Sequence, residues 1–257
     1  QVGIFLNIIR QATFVGIISV GLSMAIITGH MDLSVESVMA LSAMASAYLV
    51  ATNGAGLGLD MSTWLTLLVS LALGGVIGLT NGFLIVRVGL NAFIVTLSAY
   101  IGVRGLGLVL TGGRSMFGLP PQFRWAANAD VAGIPVLVLI LVTTYLVFHF
   151  VLRHTRFGRY IYLIGGNPTA PFRAGIPVDR ILISVFVLAG LLAAFAGWLL
   201  AARTNGATPN LGVGMLFEAF AAVVIGGVRL SGGVGRLSGV LAGVLLMGAI
   251  DTAINVM

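Results

Sequence analysis

Five ionisable side chains lie within long apolar stretches of this sequence: Asp32, Glu36, Arg104, Glu218 and Asp251. Such groups are costly in hydrocarbon, so they usually face a partner or a water-filled cavity that serves a polar solute or an ion. Asp251 and Asn255 are four residues apart, which places both on one face of a helix. We therefore predict a set of residues lining a translocation pathway: Asp32, Asn91, Glu218, Asp251 and Asn255. Asn81, Thr96 and Ser98 are weaker candidates of the same kind.

Catalytic and metal-binding patterns are missing from the sequence. The three histidines, His30, His149 and His154, are scattered without carboxylates at metal-ligand spacing, and the chain has no cysteine. It also has no lysine, so it cannot contain the GxxxxGK[ST] loop that holds ATP phosphates. We expect no catalytic residue, no metal and no cofactor here, and ATP hydrolysis, if transport uses it, on another chain.

Asp32 and Glu36 follow the break Thr-Gly-His and precede an apolar run. An Asp before a helix is a favoured N-cap, and an acid in the first turn is stabilised by the positive end of the helix dipole. Structural capping by Asp32 is one interpretation. The other is a pathway role, since a helix break at membrane depth requires a neighbouring protein surface or cavity.

The composition requires a lipid environment. Hydrophobic residues make up 59% of the 257 residues and charged residues only 8%, against about 25% charged in soluble domains. The net charge of +6 reflects thirteen arginines, most of them near segment boundaries, so it indicates membrane topology rather than nucleic-acid binding. The 36 glycines predict a tightly packed bundle, because small residues let membrane helices approach closely.

Eight apolar segments divide the chain, and a spanning helix needs about 20 such residues. They are 11–28, 33–52, 62–86, 91–111, 133–152, 181–202, 216–228 and 237–257. Because 216–228 is too short to span unaided, the predicted fold class is all-α: a polytopic transmembrane helical bundle with broken or re-entrant helices.

The arginines predict the orientation. If 153–180 is cytoplasmic, the inner side receives Arg87, Arg153, Arg156, Arg159, Arg173, Arg180, Arg229 and Arg236. The outer side receives Arg10, Arg114, Arg124 and Arg203. This excess follows the positive-inside rule. The outer loops 112–132 and 203–215 are then available to an external partner, with Trp125 as an interfacial anchor; an ordinary loop is the alternative.

The inner loop 153–180 contains signals for a short helix over 168–174. Asn167 is a favoured N-cap, Pro168 suits the first helical position, Gly175 suits the position after the last turn, and Pro177 forbids continuation. Two turns cannot be stable alone, so this helix must pack on a partner or on its own bundle. Upstream, Arg153, Arg156 and Arg159 recur every three residues and would share a face if the preceding helix continues.

Four motifs in order resemble one family. They are TGHMDLSVESVMAL (28–41), NGFLIVRVGLNAFIVTLSAYIGVRGLGLVLTGG (81–113), RFGRYIYLIGGNPTAPFRAGI (156–176) and FAAVVIGGVRLSGGVGR (220–236). Together they resemble permease subunits of bacterial ABC sugar importers, the ribose/xylose/galactose-type branch related to branched-chain amino acid permeases. The chain departs from the family pattern at His30 and Glu36, where small residues are usual, at Pro171-Phe172, where alanines are usual, and at Arg229.

The resemblance implies a multi-pass protein of the bacterial inner membrane with several partners. These are a second permease subunit, as homo- or heterodimer, a cytoplasmic ABC ATPase that binds ATP, a periplasmic sugar-binding protein and membrane lipid. The residues it assigns to ATPase coupling are Asn167, Pro168, Ala170, Phe172, Arg173 and Gly175. It also implies that residues 1–257 form one permease domain that lacks a first and a last span.

Other functions stay open at this point. A branched-chain amino acid or nucleoside ABC permease would share the architecture. An ion-coupled secondary transporter would use Asp32 and Glu218 as coupling sites. An intramembrane enzyme is disfavoured because no catalytic constellation is present.

Overall fold

The computed structural model describes residues 2–53, 56–167, 169, 171 and 174–256, and it leaves out the side chains of residues 2–7 and 255–256. Ten helices lie in these ranges: α1 (Val2–Ile27), α2 (Val35–Val50), α3 (Thr63–Val86), α4 (Ala92–Thr111), α5 (Pro121–Asn128), α6 (Val136–His154), α7 (Arg156–Gly166), α8 (Val178–Thr204), α9 (Met215–Ile225) and α10 (Leu237–Val256). Four two-residue strands accompany them: β1 (Met116–Phe117), β2 (Asp130–Val131), β3 (Ile134–Pro135) and β4 (Gly206–Ala207). β1 pairs with β4 and β2 with β3, both antiparallel.

The all-α prediction is confirmed, and each predicted apolar segment contains a helix. Six helices are long and apolar enough to cross a membrane, namely α1, α3, α4, α6, α8 and α10. Two further apolar helices are shorter. α2 has 16 residues and α9 has 11, so at about 1.5 Å per residue α9 reaches only partway through a bilayer core of about 30 Å.

Helix α8 lies at the centre of the bundle and packs against α1, α2 and α3. Its contact with α3 depends on glycines spaced four residues apart. A Cβ at Gly74 would meet the Gly190 carbonyl, and a Cβ at Gly78 would meet the backbone of Phe186. The two backbones therefore touch directly, as expected for small residues between membrane helices.

The two predicted sets of arginines lie at opposite ends of the bundle. At one end, Arg87 pairs with Asp179 at 3.2 Å, which joins α3 to the start of α8. At the other end, Arg10 pairs with Asp130 at 3.3 Å. We call these the inner and the outer end, following the orientation predicted from the arginines.

The three arginines Arg153, Arg156 and Arg159 do not share one helix face, because the helix that carries Arg153 does not continue. Helix α6 ends at His154, Thr155 is extended with φ −98° and ψ 162°, and α7 starts at Arg156. The Thr155 hydroxyl accepts a hydrogen bond from the Gly158 N–H at 3.2 Å, which is an N-cap contact. Arg153 thus belongs to α6, while Arg156 and Arg159 belong to α7.

Candidate transport pathway

Asp32 lies in the turn between α1 and α2 and is almost fully buried. Its Oδ1 accepts hydrogen bonds from the Ser34 N–H at 3.0 Å and the Ser34 hydroxyl at 2.6 Å. The Ser34 Oγ in turn accepts from the Asn81 amide of α3 at 2.9 Å. Asp32 is therefore not the N-cap that we predicted: α2 is preceded by Ser34, and Asp32 closes the turn and, through Ser34, links it to α3. Its role in a pathway stays a prediction.

Glu36 holds together three helices in the interior. It lies in the first turn of α2 with a side chain that is 1% exposed. Its Oε1 accepts from the Tyr100 hydroxyl at 3.1 Å and from Arg104 Nη2 at 3.2 Å, both on α4. The Arg104 guanidinium also lies 5.6 Å from the Tyr100 ring centroid, within cation–π range.

The second oxygen of the same carboxylate caps the short helix α9. Glu36 Oε2 accepts from the backbone N–H groups of Gly214 at 3.0 Å and Leu216 at 3.1 Å. Helix α9 has no cap from its own side chains. A carboxylate at this end satisfies free N–H groups and complements the helix dipole. Since Arg104 lies in the middle of α4, helix α9 begins inside the bundle, which confirms the predicted broken helix.

The sequence predicted that Glu36 lies in the first turn of a helix and that Arg104 lies within an apolar segment, but it did not predict that the two residues pair. A signal was nevertheless present, because two opposite charges in otherwise apolar stretches are expected to pair. Their partnership with the Gly214–Leu216 backbone depends on packing between distant parts of the chain, which no local pattern encodes.

Glu218 and Asp251 line one cavity of about 700 Å³ near the outer end. Helices α1, α8, α9 and α10 surround it, and its polar walls also include Arg10, Arg203 and Thr252. Its volume lies within the range of about 300–1,000 Å³ typical of small-molecule sites. Carboxylates and hydroxyls are suitable hydrogen-bond partners for a polyhydroxylated solute. Among the described side chains, the structure thus brings together two of the residues predicted for the pathway, Glu218 and Asp251.

Asn91 does not line that cavity. The Asn91 Oδ1 accepts from the N–H groups of Phe93 at 2.9 Å and Ile94 at 3.4 Å, so its observed contacts cap α4 at the inner end. The side chain of Asn255 lies outside the described part of the structure. A pathway role for either residue stays a prediction.

Residues 167–177, which join α7 to α8 at the inner end, are called the inner connection. Capping contacts lie at both ends of the short helix predicted there. Asn167 Oδ1 accepts from the Thr169 N–H at 3.1 Å. Gly175 has φ +70°, and the Ile176 N–H donates to the Pro171 carbonyl at 3.1 Å. This six-to-one bond around a left-handed glycine is the Schellman arrangement. The other residues assigned to coupling, Pro168, Ala170, Phe172 and Arg173, lie outside the described residues.

Glycines allow the end of α7 and the loop before α10 to pack closely against the end of α1. The Gly233 N–H donates to the Ile27 carbonyl at the end of α1 at 2.8 Å, and a Cβ at Gly165 would meet that same carbonyl. The Tyr162 hydroxyl donates to the Gly235 carbonyl at 3.0 Å. Burial raises the pKa of the Tyr162 phenol, and the Arg236 guanidinium opposes that rise.

The two predicted outer loops form one surface. Met116 pairs with Ala207 and Phe117 with Gly206, so β1 and β4 join the loops directly. The Asn205 Oδ1 accepts from the Leu119 N–H at 3.0 Å. We call this surface, formed by 116–128 and 205–207, the outer platform. Trp125 on α5 is 64% exposed there, as an interfacial anchor would be.

Comparison with known proteins identifies the family. The family described as "Branched-chain amino acid transport system / permease component" matches residues 4–257. The chain belongs to this family. The match covers nearly the whole chain. It includes the outer cavity, the inner connection and the contacts of Glu36 with Tyr100, Arg104 and the start of α9, which we call the Glu36 cluster.

Relatives of this permease are named for sugar import. It is 36% identical to the ribose import permease protein RbsC of Escherichia coli K12 over 98% of this chain and 77% of the relative. The Bacillus subtilis RbsC is 37% identical with the same coverage. The L-arabinose ABC transporter permease protein AraH of Azospirillum brasilense is 37% identical over 98% of this chain and 72% of the relative. No solved structure gives a significant match.

The permease is thus a multi-pass inner-membrane protein, and membrane permeases of this family act in transport rather than in catalysis. The family resemblance read from the four sequence motifs is confirmed.

Proposed function

We propose that this chain is the membrane-spanning permease subunit of an ABC importer for a simple sugar. The observation that carries this proposal is the similarity to ribose and L-arabinose import permeases over 98% of the chain. Ribose and L-arabinose, the sugars in the names of these relatives, are therefore the substrates to test first. The outer cavity, with Glu218 and Asp251 facing a space of about 700 Å³, is suited to accept such a solute.

ATP drives the transport from a separate subunit. The chain has no lysine and hence no phosphate-binding loop of the GxxxxGK[ST] type. The ATPase binds at the inner end, where the connection around Asn167 and Gly175 carries its capping contacts. Closure of the ATPase moves this connection and, through it, α7 and α8.

Two further partners complete the transporter. A periplasmic sugar-binding protein delivers the sugar to the outer platform, which lies at the same end of the bundle as the outer cavity. A second permease subunit forms the other wall of the pathway, against the apolar faces that α3 and α4 leave exposed. Low-affinity polar contacts along the pathway let the sugar pass, and the binding protein supplies most of the specificity.

Uptake into reconstituted vesicles tests this function. Permease, ATPase and binding protein are reconstituted with ATP inside, and radiolabelled ribose, L-arabinose, leucine and adenosine are supplied outside. We expect ATP-dependent uptake of one or both sugars that persists when an ionophore collapses ion gradients. Uptake of leucine or adenosine alone would assign a different substrate class, and uptake that needs an ion gradient but no ATP would contradict an ABC importer.

A further inference from the structure

A second cavity, of about 670 Å³, lies at the inner end between α6, α7 and the start of α10. Six polar side chains line it: His149, Arg153, Arg159, Tyr162, Arg236 and Ser238. None of these residues contributes to the outer cavity, to the Glu36 cluster or to the inner connection around Asn167.

The charged side chains that line this cavity all carry positive charge. Three guanidinium groups line it, and no carboxylate does so among the described residues. None of the three arginines has an ion pair in the described part of the chain, where the ion pairs are Arg10–Asp130, Arg87–Asp179 and Arg104–Glu36. Like charges gathered around one space repel each other unless an anion lies between them. Arginine forks also match the geometry of phosphate oxygens.

The cavity lies at the level of a membrane surface. Arg153 is in the last turn of α6, a spanning helix. Helix α7 follows directly, with Ile161 and Ile164 buried and Arg156 and Arg159 exposed. This division of apolar and charged faces is typical of a helix that lies in the interface. The cavity therefore opens where lipid headgroups are located.

An apolar stripe leads from the cavity towards the membrane centre. On α6, Leu146 lies three residues before His149 and Phe150 lies three residues before Arg153, so they share a side of the helix. Leu146 is 65% exposed and Phe150 is 59% exposed. Charged groups at the inner end and exposed apolar groups above them match the headgroup and the acyl chains of one phospholipid.

We propose that this cavity binds the phosphate of an anionic phospholipid of the inner leaflet, with the acyl chains along Leu146 and Phe150. Basic pockets between membrane helices on the cytoplasmic side are suited to such headgroups. A lipid bound here bridges α6, α7 and α10 directly before the inner connection. The proposal concerns this chain alone and does not depend on the transported solute.

Thermal unfolding of the purified permease in detergent tests it, with added phosphatidylglycerol, phosphatidylcholine or inorganic phosphate. We expect phosphatidylglycerol to raise the unfolding temperature by at least about 4 °C more than phosphatidylcholine. Inorganic phosphate at the same concentration is expected to have little effect, because it lacks acyl chains.

Variants locate the site. Arg153→Gln and Arg236→Gln, on α6 and before α10, are each expected to remove most of the phosphatidylglycerol shift. Arg156→Gln is the matched control, because it removes the same charge from the same region and Arg156 does not line the cavity. If Arg153→Gln fails to fold, Arg236→Gln and Arg153→Lys carry the test, and the lysine variant is expected to keep part of the shift.

Several results would overturn the proposal. Equal shifts with both lipids would show that no anionic headgroup is selected, and an equal loss in Arg156→Gln would show only diffuse surface attraction. A full shift with inorganic phosphate would assign the cavity to a soluble anion. An unchanged lipid shift in Arg153→Gln, together with lost ATPase binding, would assign it to a protein surface.

Discussion

Arg104 and Glu36 form an ion pair of 3.2 Å in the interior of the bundle, with side chains that are 18% and 1% exposed. The pair joins α4 to α2, and the second Glu36 oxygen holds the N-terminus of α9. One carboxylate thus fixes the start of a helix that begins inside the bundle and whose Glu218 lines the outer cavity. The position of the cavity wall depends on this contact.

Glu36→Gln is expected to destabilise the permease by about 3 kcal/mol, because it leaves the Arg104 charge buried without a counter-ion. Thermal unfolding in detergent measures the change. The double variant Glu36→Gln/Arg104→Met is the control, and we expect it to be more stable than the single variant. Strictly additive effects of the two substitutions would show that the two charges are not coupled.

Gly78→Ala is expected to destabilise the bundle by about 1–3 kcal/mol, because the new methyl group meets the backbone of Phe186 and α3 must move away from α8. Gly102→Ala is the matched control. It adds the same methyl group within helix α4, where the Cβ would meet no atom of another helix within 4 Å, and alanine favours the helix by up to about 1 kcal/mol. Equal stabilities of both variants would argue against direct backbone contact between α3 and α8.

Glu218→Gln and Asp251→Asn are each expected to lower sugar uptake about tenfold, by weakening hydrogen bonds between the cavity and the sugar hydroxyls. Vesicle uptake at several sugar concentrations measures this effect. Asp60→Asn serves as control, since Asp60 is exposed and does not line the cavity. Unchanged uptake in both cavity variants would remove these residues from the pathway.

Gly175→Ala tests the inner connection. Gly175 has φ +70°, which costs an L-residue about 1 kcal/mol or more. We expect the Gly175→Ala transporter to hydrolyse ATP more slowly in the presence of sugar, because the alanine strains the turn that follows residues 168–174. Gly166→Ala is the control, as a Cβ there meets nothing within 4 Å and φ is not positive. Equal ATPase rates for the two variants would count against a coupling role for this turn.

The eight helices that lie in predicted segments were predictable because these segments are apolar runs bounded by arginine, glycine, proline or asparagine, whereas α5 and α7 lie outside them. The predicted bounds 62–86 and 91–111 differ from α3 and α4 by a single residue at one end. The predicted 11–28 segment was less accurate, since α1 begins at Val2. Residues 2–9 are mostly apolar as well, but Arg10 and Gln11 interrupt the run, and this polar pair resembles the boundary of a span although it lies within one helix.

The site was only partly predictable. Glu218 and Asp251 were recognisable as charges in apolar segments, and they share a cavity. The pairing of Glu36 with Arg104 spans 68 residues along the chain, so it depends on how α2 and α4 pack. The break at Thr155 was missed because a threonine between arginines is a weak helix-stop signal until its cap contact with Gly158 is known.

Single-cysteine crosslinking gives the most direct test that a separate ATPase drives this permease through the inner connection. The chain has no cysteine, so a single introduced cysteine gives a unique thiol. Thr169→Cys places this thiol at the inner connection, and Gln122→Cys places it at the outer platform; both positions are exposed. In vesicles with ATPase and binding protein, we predict that a bifunctional thiol reagent joins Thr169→Cys to the ATPase and Gln122→Cys only to the binding protein. Labelling of Thr169→Cys solely from the outside, or its crosslinking to the binding protein, would contradict ATPase contact at this connection.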